Sequence, residues 1–150
     1  MRKQDFIIPG VVKILKDRQE NYEVLLPETE KNKALISWFE NHFPIASWGR
    51  IEWEKVKGKT CYAWQDDSEL LKNLEKICRG NQLKKQAVFI TWNNALRASL
   101  YLRMDLVCNY ALEIFQEDFD TWIICLDEGW CIEIYHEGEI CFGRCPIVMS

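Results

Sequence analysis

The motifs by which a sequence usually advertises a reaction are missing from this chain. It contains no GxxxxGK(S/T) phosphate loop, no GxGxxG turn, no GxSxG elbow and no HExxH pair, so the standard signatures of nucleotide binding, α/β-hydrolase chemistry and zinc peptidases are absent. No two of its seven cysteines, at 61, 78, 108, 125, 131, 141 and 145, are spaced as CxxC. An odd, scattered set fits neither a disulfide framework nor a zinc ribbon, and it predicts free thiols in a reducing cytosol with no metal or other cofactor. A long apolar run is lacking too. Phe6, Ile7 and Ile8 follow Arg2 and Lys3 but stop at Pro9-Gly10, too short for a signal-peptide core or a membrane span; the expectation is a cytoplasmic protein without membrane contact. Neither an internal repeat nor a linker composition divides the 150 residues, a length that suits one domain.

What the sequence does hold is aromatic and unevenly charged. Seven Trp, seven Phe and five Tyr promise a large aromatic core. The net charge is -4, yet residues 113–150 carry nine acids against Arg144 alone, and the remainder is basic. This acidic pole suits either solvated turns or a docking surface for a basic partner.

The organising stretch is residues 120–145. Two glycine-containing turns, 127–129 and 137–138, separate segments of alternating apolar and polar residues, which predicts a three-stranded antiparallel meander. With a three-residue first loop and a two-residue second, Leu126 is paired with Trp130, Ile124 with Ile132, Trp122 with Ile134, and His136 with Glu139. One face is then Trp122, Ile124, Leu126, Trp130, Ile132, Ile134 and Cys141, a core. The other, with Cys125 opposite Cys131, is mixed.

Upstream, the spacing predicts a helix near 9–19, a strand over 21–26, and a helix from a Thr29 cap to about Asn41. Residues 47–64 are expected to form a second hairpin. Asp66 and Glu69 have capping-box spacing ahead of an amphipathic helix that Gly80 should end. Residues 86–92 predict a central strand and 97–102 a returning one, and Asp105 should cap one helix to about Gln116. Strands grouped by hairpins, with helices between the groups, indicate an α+β fold: a single domain, mainly antiparallel, with two or three amphipathic helices covering the apolar face.

Candidate chemistry is sparse. His136, beside Glu137 and expected opposite Glu139, could be an oriented acid-base group in a small enzyme or ligand-binding domain, or simply half of an ion pair at a hairpin end. Lys55, Lys57, Lys59, Lys84 and Lys85 could grip phosphate, but in an acidic protein solubilising turns are the simpler account, so no nucleic-acid partner is expected. Glu117, Asp118, Asp120, Asp127 and Glu128 lack EF-hand spacing.

The pattern DTWI at 120–123, followed by W-x-I-E-x-Y-H-x-G-E-I at 130–140 after a helix ending in phenylalanine and acids, resembles small bacterial immunity proteins encoded beside polymorphic toxins, such as contact-dependent growth inhibition effectors. The likeness covers roughly the last third of the chain. It implies a non-enzymatic cytosolic inhibitor, monomeric or weakly oligomeric, that binds a cognate toxin domain, many such toxins being nucleases with basic clefts. By charge and turn position, Asp118, Asp120, Asp127, Glu128 and Glu137 are the expected partner-binding acids, with Trp130 or Tyr135 as aromatic anchors.

Overall fold

The structure is a computed structural model that describes residues 5–47 and 49–145. Arg2 and Lys3, and Trp48 within the expected second hairpin, lie outside the described residues. In chain order the elements are α1 (Val11–Asp17), β1 (Tyr22–Leu25), α2 (Glu30–His42), a 3-10 turn (Trp53–Lys55), β2 (Thr60–Ala63), α3 (Asp67–Asn81), β3 (Ala87–Trp92), β4 (Ser99–Arg103), α4 (Met104–Asn109), α5 (Ala111–Phe115), β5 (Thr121–Cys125), β6 (Trp130–Tyr135) and β7 (Glu139–Arg144). The seven strands form one sheet in the order β1-β4-β3-β5-β6-β7-β2, with every strand pair antiparallel. This is the expected α+β architecture, and β5, β6 and β7 form the expected meander.

Local chemistry explains several boundaries. Thr29 accepts from the Asn32 amide and starts α2. Asp66 accepts from the Glu69 amide while the Glu69 carboxylate turns back to accept from Gln65 N–H, which fixes the start of α3. β3 is buried along nearly its whole length because it lies inside the sheet with apolar residues on both faces.

The two faces differ from expectation. Helices cover both, five among the described residues, instead of two or three covering one. On one side α1, α3, α4 and α5 pack Leu15, Leu74, Ile77, Val107 and Ile114 against Ile90, Ile123, Trp130 and Ile132. On the other, α2 and residues 43–56 pack Leu35, Phe39, Ile51 and Trp53 against Phe89, Trp122, Ile124 and Cys131.

That double burial is why the meander register departs by one residue from the prediction. Trp130 pairs with Cys125, Ile132 with Ile123, and Glu133 with Trp122, because the first loop has four residues, 126–129. Glu139 pairs with Tyr135, not His136, because the second loop has three. Trp122 and Ile124 therefore face α2, whereas Ile132 and Ile134 face the opposite helices. A slip of one residue exchanges faces, and here both faces are buried, so alternation of polarity could not choose between registers. The two slips cancel across the meander, which leaves Cys141 on the Trp122 face as expected.

Further expectations are corrected. Among the described residues of 47–64 there is no hairpin: Ile51 makes a bridge to Ile45, and β2 pairs with β7 at the sheet edge. Asp105 does not cap a continuous helix, since the chain breaks at Tyr110 (φ -119°, ψ 28°) into α4 and α5. Gly80 lies inside α3, and Gln82 takes the left-handed cap (φ 56°). The cysteines are not all free either: Cys61 and Cys141, directly opposite on β2 and β7, form a disulfide. Cys125 and Cys131 do not oppose each other and face opposite sides of the sheet.

The described residues of 43–56 have little regular structure but are fixed by a buried carboxylate. Glu133, 1% exposed on β6, accepts from Arg50 Nε (2.7 Å), Trp53 Nε1 (2.9 Å), Ile51 N–H (2.9 Å) and Trp122 Nε1 (3.0 Å). Gly143 on β7 lets this segment lie directly on the strand, because a Cβ there would sit 2.8 Å from Val56 and 2.9 Å from Trp53.

Candidate docking surface

One end of the sheet gathers the α5–β5 connection, residues 116–120, and the β6–β7 turn, residues 136–138. Together they contain four carboxylates and neither lysine nor arginine. Each acid has a structural partner. Glu117 accepts from Gly10 N–H (2.7 Å) and, through its other oxygen, from Arg97 Nη1 (2.5 Å). Asp118 accepts from Arg97 Nη2 (3.1 Å) and from Phe119 N–H (2.8 Å). Asp120 Oδ1 accepts from His136 N–H (2.9 Å) and lies 2.8 Å from His136 Nδ1. Glu137 accepts from Tyr135 O–H (2.6 Å), which raises the pKa of the tyrosine.

These bonds tie the loop to the body at Arg97 and to the turn at His136, and they leave the intervening ring outside. Phe119 is 70% exposed. Its ring lies 5.3 Å from the imidazole of His136, which in turn lies 4.9 Å from the ring of Tyr135. Beside Phe119 opens a cleft of about 180 Å³ whose walls include Trp64, Leu70, Phe115 and Ile134. The Trp64 indole N–H is buried there and has no acceptor among the described residues. Behind the turn, the Arg50 guanidinium lies 4.0 Å over the Tyr135 ring and pairs with both Glu133 and Glu139. Burial opposes its charge, but the two carboxylates outweigh that and hold its pKa above the ordinary value.

The expected partner-binding residues are thus divided. Asp118, Asp120, Tyr135 and Glu137 come together at this end. Asp127 and Glu128 are exposed in the β5–β6 turn at the other end of β5, separated by five strand residues, or roughly 15–20 Å. Trp130 is a correction: it is fully buried, packs on Phe142, and donates its indole N–H to Gln86 Oε1 at 2.7 Å. A ring in that position belongs to the core and is not part of the exposed surface. His136 is also re-paired, since the register moves Glu139 away from it and Asp120 takes that place.

Phe119 was not singled out from sequence. The available signal was an aromatic flanked by Asp118 and Asp120 just outside the last helical turn, a ring belonging to no amphipathic face.

A sequence model of the family described as CdiI immunity protein, EcoliA0-like, matches residues 15–143. The chain belongs to the CdiI immunity protein family. The match runs from α1 to the penultimate residue of β7 and so extends well beyond the C-terminal third that carried the resemblance. A comparison with curated proteins found no match. For a CdiI immunity protein the coarse role is neutralisation of a toxin, and the surface just described has the makings of an interface: an exposed aromatic ring, an adjoining apolar cleft and an acidic rim. Among the described residues no helix is long and apolar enough to cross a membrane.

Proposed function

We propose that this immunity protein neutralises its toxin by direct binding in the cytosol, with Phe119 inserted into the toxin domain and the surrounding carboxylates steering the encounter, so that substrate is kept from the active site. The toxin in this reading is a nuclease, whose cleft for a polyanion is basic and complements the rim formed by Glu117, Asp118, Asp120 and Glu137. The observation that carries the reading is Phe119 itself. A ring 70% exposed, on a loop held at one end by ion pairs to Arg97 and at the other by hydrogen bonds between Asp120 and His136, is a preorganised anchor. No catalytic role is needed for His136, whose contacts to Asp120, Phe119 and Tyr135 brace the two halves of the surface.

The test is titration of the purified protein against the toxin domain encoded beside its gene, following both binding and nucleic-acid cleavage. Removing the ring in Phe119→Ala should cost about 2–3 kcal/mol, or roughly 30- to 150-fold in Kd. Glu137→Gln should slow association at low salt and little above 0.3 M, because exposed charges are screened within about 10 Å. Asp127→Asn with Glu128→Gln, at the far end, should leave the Kd within about threefold. Loss of protection in that double variant, with Phe119→Ala unaffected, would move the interface to the opposite end of the sheet.

A further inference from the structure

Away from the docking end, α3 and α4 bring two thiols together. Cys78 Sγ lies 3.6 Å from Cys108 Sγ, and a disulfide requires about 2.05 Å. Cys78 is buried, on the inner face of α3, whereas Cys108 is half-buried on α4. The frame around them is tight. Leu83 N–H bonds to the Cys78 carbonyl, Asp105 N–H to the Lys84 carbonyl, and Met104 N–H to the Gln86 carbonyl. The end of α3 and the start of α4 are thus strapped to the same short segment, 83–86.

A cleft of about 400 Å³ opens at this place, lined by Cys78, Arg79, Gln82, Lys84 and Lys85. Three of its five residues are cationic, although Glu75 pairs with Arg79 and Lys84. The thiols are also unlike each other. Hydrogen bonding to Cys78, reinforced by the charge of Lys84, lowers the pKa of Cys108; the same hydrogen bond, together with burial, raises that of Cys78. Cys125 and Cys131, unlike Cys108, are pushed up by burial.

We propose that Cys78 and Cys108 form a redox-active dithiol that closes to a disulfide by exchange with an anionic low-molecular-weight disulfide, cross-linking α3 to α4. In the first step the Cys108 thiolate attacks one sulfur of the reagent. A Cys108–reagent disulfide forms, the reagent's own S–S bond breaks, and one thiolate leaves. In the second step the Cys78 sulfur attacks Cys108 Sγ, the mixed disulfide breaks, and the Cys78 proton goes to the second departing thiolate. Two protein thiols are oxidised by two electrons and one reagent disulfide is reduced to two thiols. The cationic cleft, which Cys78 lines, attracts a carboxylate-bearing reagent to the thiol pair, and the half-exposed Cys108 is the thiol whose pKa is lowered.

The experiment uses the full chain and oxidised glutathione. Aliquots are quenched with iodoacetamide and the peptides mapped by mass spectrometry. The expected result is a peptide pair joined through Cys78 and Cys108, two hydrogens lighter than the thiols, formed before Cys125 or Cys131 reacts. Cys78→Ser should stop at a stable glutathione adduct on Cys108, and Cys108→Ser should leave Cys78 unmodified. If wild-type Cys108 is still alkylated after exposure to excess oxidised glutathione, or stops at the mixed disulfide, the proposal is wrong. The wild-type map decides this without relying on either variant to fold, and independently of whether Phe119 binds a toxin.

Discussion

Replacing Glu133 with glutamine changes almost no volume and should still cost much of the protein's stability. Oε1 accepts from Arg50 Nε and Trp53 Nε1, and Oε2 from Ile51 N–H and Trp122 Nε1. A glutamine keeps one of those oxygens and places an NH2 group where the other was. Whichever way the amide turns, two donors lose their acceptor and face another donor, and Arg50 loses its buried counter-charge. A hydrogen bond to a charged group contributes about 1.5–3 kcal/mol, and breaking a buried ion pair by removing one partner costs about 3–5 kcal/mol. These figures describe overlapping interactions, so the estimate for Glu133→Gln is about 3–5 kcal/mol in total. Against a typical domain stability of about 5–15 kcal/mol the variant can still fold. With an m-value of about 2 kcal/mol/M, its urea midpoint should fall by about 1.5–2.5 M. Trp122→Phe removes one donor and keeps the carboxylate, so it should cost only about 1–2 kcal/mol. Equilibrium unfolding followed by tryptophan fluorescence gives both numbers, and hydrogen exchange at the Ile51 amide reports whether residues 43–56 have come loose. A Glu133→Gln midpoint equivalent to less than 1 kcal/mol of destabilisation, or a smaller loss than for Trp122→Phe, would refute the assignment of this carboxylate as the anchor of that segment.

Gly138→Ala should be disruptive for two reasons, since φ there is +101° and a Cβ would lie 2.7 Å from the Trp64 carbonyl oxygen. A loss of about 2 kcal/mol or more in unfolding, with weaker toxin binding because the His136 turn shifts, is the expected result. The Cys61–Cys141 bridge closes a separation of 80 residues, so Cys61→Ser should lower stability by about 2–4 kcal/mol. Reductant should bring the wild type down by a similar amount, and an unchanged wild-type midpoint under reductant would contradict the bridge.

Much of the fold was legible because it is written locally. Thr29, Asp66 with Glu69, and the doubly apolar run of β3 each announce their element within a few residues. The errors arise where the answer depends on distant chain. β2 looks like half of a hairpin with residues 47–56, yet its partner is β7, and the segment thought to be the other half is needed to cover the sheet and satisfy Glu133. The meander register failed because α2 buries the face that a sequence pattern would leave half wet. At the surface, charge and turn position single out Asp118, Asp120, Tyr135 and Glu137, which the structure brings to one end of the sheet, but Trp130 is not separable from an exposed ring until its face is known. Phe119 was overlooked because an unpatterned aromatic in a loop has no periodicity to mark it.

The strand order also governs when this protein can take shape during its own synthesis. Both outermost strands, β1 and β2, come from the first 63 residues, whereas the five strands between them come from residues 87–144. A ribosome that has released 86 residues has therefore made both margins of the sheet and none of its interior. β1 must wait for β4, and β2 must wait until the last strand has emerged. A chain cut short before β7 leaves β2 with no strand to join, while β3, β4, β5 and β6 are already neighbours in the sheet and can begin to pair as they leave the tunnel.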